Sequence, residues 1–169
     1  MDLLPEIVSR VSIRCFTSEA VDEKQLNRIL EAGRLAPSAK NRQTWRFVVV
    51  RNPEIRKKIE HASYGQEHVG SAPVIIAVCT TNIEYTMPNG HLSYPIDLSI
   101  AVSFMMLQAV REELGTCIVA TYDEQEVKEI LTVPYSMRVP VLMLAGHAAE
   151  QPGPKKRLPL RRIVSFDHW

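Results

Sequence analysis

The chain carries almost no excess charge, few glycines and cysteines, and no long apolar run. Each shortage excludes something. With 20 basic residues against 19 acidic ones, there is no basic surplus of the kind a general nucleic-acid binder needs. A small local phosphate site remains open. Glycine occurs 7 times, and no GxGxxG or GxxxxGK[ST] is present, so dinucleotide-fingerprint and P-loop folds lose their main support. Cys15, Cys79 and Cys117 are odd in number and far apart. They form no CxxC or Cys/His zinc spacing, so no metal site is expected, and buried free thiols in a reducing cytoplasm are. The apolar runs near Ile100–Val110 and Val139–Ala149 fall short of the ~20 residues a membrane span requires. Asp2 is followed by neither a basic n-region nor an apolar h-region, so no signal peptide is expected. HExxH and GxSxG are absent, and His61, His68, His91, His147 and His168 show no ligand spacing.

What is there is a chain of 169 residues, 46% hydrophobic and 23% charged, which reads as one globular domain over 1–169. Asp22 and Gln25 form a capping-box pattern with Val21 and Leu26 as the staple, predicting a helix over Asp22–Ala36 that Pro37 ends. Asn52-Pro53 opens a second helix, to about His61. Pro95–Leu114 is apolar almost all round, the pattern of a core helix, with Gly115 as its C′ stop. Asp123 and Glu126 start another helix, to Leu131. Phe47–Val50, Pro73–Thr80 and Val139–Ala145 are continuous apolar runs that read as buried strands, and Thr116–Val119 reads as strand or turn. Tyr64–Ser71 and Asn82–Tyr94 are short candidate lids. Acidic residues such as Glu112–Glu113 and Glu124–Glu129 read as solvated helix faces or caps, not as a paired acid and base. The result is a layered α/β-type domain.

Three segments stand out. In Arg10-Val-Ser12-Ile-Arg14-Cys-Phe16, alternate polar positions share one side of an extended chain, so Arg10, Ser12 and Arg14 either converge on one anion or line an amphipathic surface strand. Ala36–Phe47 places Ser, Asn and Gln side chains beside Trp45. It is either a long connection or a set of hydrogen-bonding groups for a flat heterocycle. Pro154–Leu160 is basic, and is either solvated or a phosphate contact.

In order, these segments resemble the nitroreductase family of FMN-dependent oxidoreductases. The likeness rests on R-x-S-x-R-x-F (Arg10 to Phe16), A-P-S-x-x-N-x-Q-x-W-x-F (Ala36 to Phe47), Gln66 before A-P-V (Ala72 to Val74), and the long helix from near Asp97 to Leu114-Gly115-Thr116-Cys117. It continues through Tyr122-Asp123 before V-K-E-I-L and ends on K-x-R-x-P-L (Lys155 to Leu160). Thr44 stands where the family often has proline. The resemblance implies an α+β fold, with a mixed, largely antiparallel sheet flanked by helices around a central core helix. It also implies an interlocked homodimer with FMN at the interface and NAD(P)H as co-substrate.

By the same resemblance, Arg10, Ser12, Lys155 and Arg157 hold the FMN phosphate and Arg14 lies near the ribityl or pyrimidine edge. Pro37, Ser38 and Ala39 reach the flavin from the partner, and Asn41 and Gln66 add polar contacts. Ile118, Val119, Ala120 and Thr121 line one flavin face, with a backbone N–H of Ala120 or Thr121 on N5. No side-chain acid or base is implied. Hydride passes from NAD(P)H through the flavin to a nitroaromatic, quinone or flavin acceptor, or to a redox protein partner. The rival expectation is a non-catalytic FMN-binding or redox-partner module. With 169 residues, the chain has few to spare for covering a large cofactor.

Overall fold

A computed structural model describes residues 3–153 and 155–169. Met1, Asp2 and Pro154, the last opening the basic tail segment, lie outside the described residues. The helices are α1 (Pro5–Ser9), α2 (Glu23–Arg34), α3 (Pro53–Ala62), α4 (Glu67–Ser71), α5 (Tyr94–Arg111) and α6 (Glu124–Leu131). The strands are β1 (Trp45–Val50), β2 (Val74–Thr80), β3 (Gly115–Val119) and β4 (Arg138–Gly146). They form one sheet in the order β1-β2-β4-β3. Every ladder in it is antiparallel. An isolated parallel bridge, Ser12 to Thr116, adds a strap along the outer edge of β3.

Both faces of the sheet are covered, which is why the strands read as continuous apolar runs rather than alternating ones. Ile76, Val78, Met143 and Ala145 pack with Leu26 and Ile29 of α2 and with Ala101, Val102 and Met105 of α5. On the other face, Ile75, Ala77, Leu142 and Leu144 pack with Ile59 of α3, Val69 of α4 and Val127 of α6. Each large aliphatic side chain buried this way contributes roughly 1.5–3 kcal/mol of transfer free energy.

The helix starts follow the sequence closely. The Asp22 carboxylate accepts from the Lys24 and Gln25 N–H groups, and the Gln25 side chain accepts from the Asp22 N–H, closing the capping box. Asn52 caps α3 ahead of Pro53. One helix end does not follow it. Gly115 is not the stop of α5; it is the first residue of β3. The helix ends in a Schellman motif, with Glu113 at the left-handed C′ position (φ 62°). There the Glu113 N–H donates to Val110 O and the Leu114 N–H to Ala109 O. Glu112 is a cap, the C-cap residue of α5, rather than part of a solvated face. Its side chain is 10% exposed and carries a two-bond ion pair with Arg28.

The candidate lids are anchored. Tyr64–Ser71 contains α4, whose Val69 is fully buried. Asn82–Tyr94 folds back on itself through a Thr86–Leu92 bridge. No helix among the described residues is long and apolar enough to cross a membrane.

Candidate functional site

The strap beside β3 is built by a period-2 pattern that begins one residue later than the sequence suggested. Arg10 is the C-cap of α1, its N–H donating to Glu6 O, and the extended stretch starts at Val11. Ile13 is buried and donates its N–H to Thr116 O at 2.9 Å, while Ser12 and Arg14 point outward and are exposed. Gly115 makes this seat possible, because a Cβ there would lie 2.6 Å from Ile13 Cγ1. On its other side the strap is held by the Glu150 carboxylate, which accepts from the Arg14 and Cys15 N–H groups.

The basic tail folds onto the same corner. The Lys155 ammonium donates to the Ile7 and Val8 carbonyls at the C-terminal end of α1. Burial and then the neighbouring charges of Arg10 and Arg157 push Lys155 below the usual lysine range. Arg14 and Arg10 also bear on the Cys117 thiol, lowering it against the larger upward push of burial. Arg10, Arg14, Lys155 and Arg157 therefore gather around the start of β3. None of the four makes an ion pair among the described residues. Thr116 Oγ1, in the residue bridged to Ser12, is buried without a hydrogen-bond partner.

From this cluster β3 runs outward. Ile118 is 44% exposed and Val119 is buried and paired with Leu142. Ala120 and Thr121 follow the strand end, are exposed, and their N–H groups make no hydrogen bond among the described residues. The Gln66 side-chain amide donates to Thr121 O (2.7 Å) and Ser63 O (2.8 Å). Both of its hydrogens are thus committed to fixing this turn. At the strand rise of ~3.3 Å per residue, Thr116 and Ala120 are roughly 13 Å apart.

Pro37, Ser38, Ala39 and Asn41 form a second group, at the edge of the sheet opposite β3, in the loop that enters β1. The Ser38 hydroxyl accepts from the Gln43 N–H and the Ser38 carbonyl from the Asn41 N–H, both at 2.9 Å. Lys40, Asn41 and Gln43 are left-handed, with φ of 53°, 52° and 50°. The Arg42 guanidinium stacks 3.6 Å from the Tyr85 ring centroid. The Ala39 N–H donates to Asp97 Oδ1 at 2.8 Å. Sequence reasoning missed Asp97 as a site residue, although an acid in the first turn of an otherwise apolar helix was a visible signal. Thr44 is buried at the base of this loop and accepts a hydrogen bond from the Thr80 hydroxyl at 3.2 Å.

The remaining reactive groups are placed as bystanders. Cys15 is exposed, against the expectation of burial, because the in-out alternation of the strap ends after Ile13: Arg14 and Cys15 are both exposed. Burial pushes the Cys79 thiol up to about 11. No cluster of His, Cys, Asp and Glu among the described residues could hold a metal ion. A 650 Å³ groove lies between α1, α2 and α5, lined by Leu4, Leu35, Phe104 and Leu107 among others.

The sequence profile of the Nitroreductase family matches residues 7–67 and 60–147. An NADH dehydrogenase of Thermus thermophilus is 30% identical over 198 aligned residues, which cover 97% of this chain and 95% of that protein. An FMN reductase [NAD(P)H] of Bacillus subtilis is 28% identical, covering 96% of this chain and 72% of its own length. The crystal structure of a nitroreductase family protein from Clostridium difficile 630 superposes with a TM-score of 0.89 at 28% identity, covering 100% of both chains.

Proposed function

The chain belongs to the nitroreductase family, and on that premise we propose that it is an FMN-dependent enzyme passing electrons from NAD(P)H to an electron-poor small molecule of nitroaromatic, quinone or flavin type. The observation that carries this reading is the set of four unpaired cations around Ser12 and the start of β3. The Glu150 carboxylate beside Arg14 offsets part of this charge, and an added anion would relieve the repulsion that remains. A phosphate monoester, with about −1.5 to −2 charge and three acceptor oxygens, suits that donor set. The unpartnered Thr116 hydroxyl beside it points the same way. The donor chemistry therefore fits FMN. In this reading Arg10, Ser12, Lys155 and Arg157 hold the phosphate, and Arg14 brings positive charge to the ribityl or pyrimidine edge.

Bound FMN supplies the two-electron redox chemistry. The chain's own residues bind and orient it. The free N–H groups of Ala120 and Thr121 stand roughly 13 Å along β3 from the phosphate corner, as preorganised donors for the ring nitrogen N5. Ile118 offers an exposed apolar face to the ring, next to the buried Val119. Gln66 fixes the turn that carries those donors.

The protein acts as a homodimer in this proposal. α5 is apolar almost all round, yet Ile96 (48%) and Phe104 (41%) are exposed, and Phe104 lines the apolar groove. A second copy of this chain is the occupant that would bury them. Pro37, Ser38, Ala39 and Asn41 sit at the sheet edge opposite the cations, so they serve the site of that second copy. The short connections leave the flavin open to bulky acceptors. The three free cysteines suit work in the cytoplasm.

The test is a visible spectrum of purified, FMN-reconstituted protein before and after anaerobic addition of NADH or NADPH. Retained flavin colour that bleaches with either nucleotide is the expected result. A colourless protein refutes the proposal, and colour without bleaching replaces it with a non-catalytic FMN-binding module.

A further inference from the structure

We propose that Asp97 is a positioning residue whose buried carboxylate holds the Pro37–Ala39 segment in the conformation that borders the flavin. This role rests on the reading above that the segment reaches the flavin of a second copy.

Asp97 is only 3% exposed, on a helix whose other buried positions are Leu98, Ala101, Val102, Met105 and Ala109. No cation forms an ion pair with it among the described residues. Its negative charge is tolerated there for two reasons. It lies in the first turn of the 18-residue helix α5, where the macrodipole favours an anion. Its Oδ1 also accepts the Ala39 N–H across 58 residues of sequence. Oδ2 is buried with no partner. Stability alone disfavours such a group, since a well-packed apolar residue avoids burying a half-satisfied charge.

The loop it holds needs holding. Non-glycine residues in the left-handed region each cost about 1–2 kcal/mol, and Lys40, Asn41 and Gln43 all adopt it. A backbone of this kind persists only when its surroundings fix it. Asp97 fixes its beginning on α5, and Tyr85 fixes its end by stacking on Arg42. The Ser38 hydroxyl closes it from within by accepting from the Gln43 N–H. Without Asp97 the first of these ties is gone, and Ala39 is left with an unpaired N–H at the place where the segment must present itself.

Asp97→Ala, Asp97→Asn and Ala39→Pro, each reconstituted with FMN and compared with wild type, test this. Ala39→Pro removes the donor and leaves Asp97 in place. Ser38 is already extended (φ −142°, ψ 158°), as a residue before proline must be, and Ala39 opens a helical turn. Three quantities are read: exchange of the Ala39 amide proton, the FMN dissociation constant, and the visible circular dichroism of the bound flavin. Asp97→Ala speeds Ala39 exchange, and both it and Ala39→Pro weaken FMN retention about tenfold, the worth of one hydrogen bond. Both also change the flavin dichroism. Asp97→Asn keeps the Oδ1 acceptor and stays close to wild type. Unchanged FMN affinity and dichroism in both Asp97→Ala and Ala39→Pro overturn the proposal, as does an Asp97→Asn protein as impaired as Asp97→Ala. If Asp97→Ala fails to fold, Ala39→Pro decides. A wild-type chain that takes up no FMN refutes the reading of the function itself, and does so before any variant is made.

Discussion

Gly115→Ala is the smallest change that links the core to the candidate site. An ideal Cβ at Gly115 meets three atoms of one side chain: Ile13 Cγ1 at 2.6 Å, Cβ at 2.9 Å and Cγ2 at 3.0 Å. Ordinary contact begins near 3.4 Å, so Ile13 must retreat by about 0.8 Å. It cannot do so by rotating a flexible end. Ile13 is β-branched, 4% exposed, and tied through its own N–H to Thr116 O. Overpacking of this kind costs ~1–3 kcal/mol, and at 2–4 °C per kcal/mol for a chain of this size Tm falls by roughly 2–12 °C. The retreat also carries Ser12 and Arg14 away from β3, so FMN binding weakens along with stability.

A double-mutant cycle separates this mechanism from a general glycine effect. In an Ile13→Ala background two of the three clashing atoms are gone, so Gly115→Ala should cost clearly less there, measured by urea or thermal unfolding. Gly33→Ala is the control for the flavin. Its Cβ would meet Met105 Sδ at 2.7 Å, but a thioether can swing aside, and that contact lies between α2 and α5 rather than under the strap. Equal costs of Gly115→Ala in both backgrounds, or a Gly115→Ala protein with undiminished FMN affinity, would refute the reasoning.

Arg10→Ala and Arg157→Ala should each weaken FMN binding by ~1.5–3 kcal/mol in equilibrium titrations, the worth of a charge-assisted hydrogen bond; unchanged affinity in both removes the phosphate assignment. Glu113→Gly should raise stability by about 1 kcal/mol, because the C′ residue of α5 already sits at a φ of 62° that glycine adopts without strain; a lower Tm would count against the Schellman assignment. Glu124 pairs with Arg138 through both carboxylate oxygens and accepts from the Val139 N–H. Burial opposes its charge, but these bonds win and hold its carboxyl below the usual range. That stabilisation is fully present above the unfolded carboxylate pKa and is lost as pH falls through the lower folded value. Glu124→Gln should therefore cost about 1 kcal/mol at pH 7, with the gap to wild type narrowing as pH falls from the unfolded carboxylate range through the lower folded value; a gap that does not change with pH across the acid limb contradicts the ion-pair account.

The parts of the fold legible in the sequence were those set by local chemistry. The Asp22–Gln25 box and the Asn52-Pro53 cap use side chains that bond their own backbone two or three residues away, so a short window contains the whole cause. The strands were legible because helices on both sides demand apolar residues at every position of β2 up to its last, Thr80. What was not legible depended on distant partners. Gly115 looked like a helix stop, but its missing Cβ serves Ile13, far off in sequence. α1 buries no residue, so it left no periodic pattern to find. Glu112 read as a solvated face or a cap, and its pairing with Arg28 of α2 left no local sign.

The candidate site was legible only through the resemblance, and the sheet explains why spacing alone could not reveal it. Its two groups of residues stand on opposite edges. The cations lie outside β3, whereas Pro37, Ser38 and Ala39 lead into β1. From β1 to the strap is four inter-strand spacings, roughly 19 Å. The rows are also offset lengthwise. Thr116 pairs with Ala145, and Ala145 with Val74, at the end of the sheet near Val50, whereas Trp45 at the start of β1 pairs with Thr80 at the other end. The two groups thus occupy opposed corners, and no hydrogen bond or ion pair joins them among the described residues. One flavin laid along β3 from Thr116 to Ala120 cannot meet both within a chain. If both groups serve one cofactor, two copies must exchange edges, each offering its β1 loop to the other's β3. The apolar surface left on α5 then becomes the place where they meet. Dimerisation and cofactor completion would be a single event, so variants that expose α5 as a monomer should lose FMN in step with the dimer across a dilution series followed by light scattering and flavin fluorescence. Monomers that keep their flavin at full affinity would break that link.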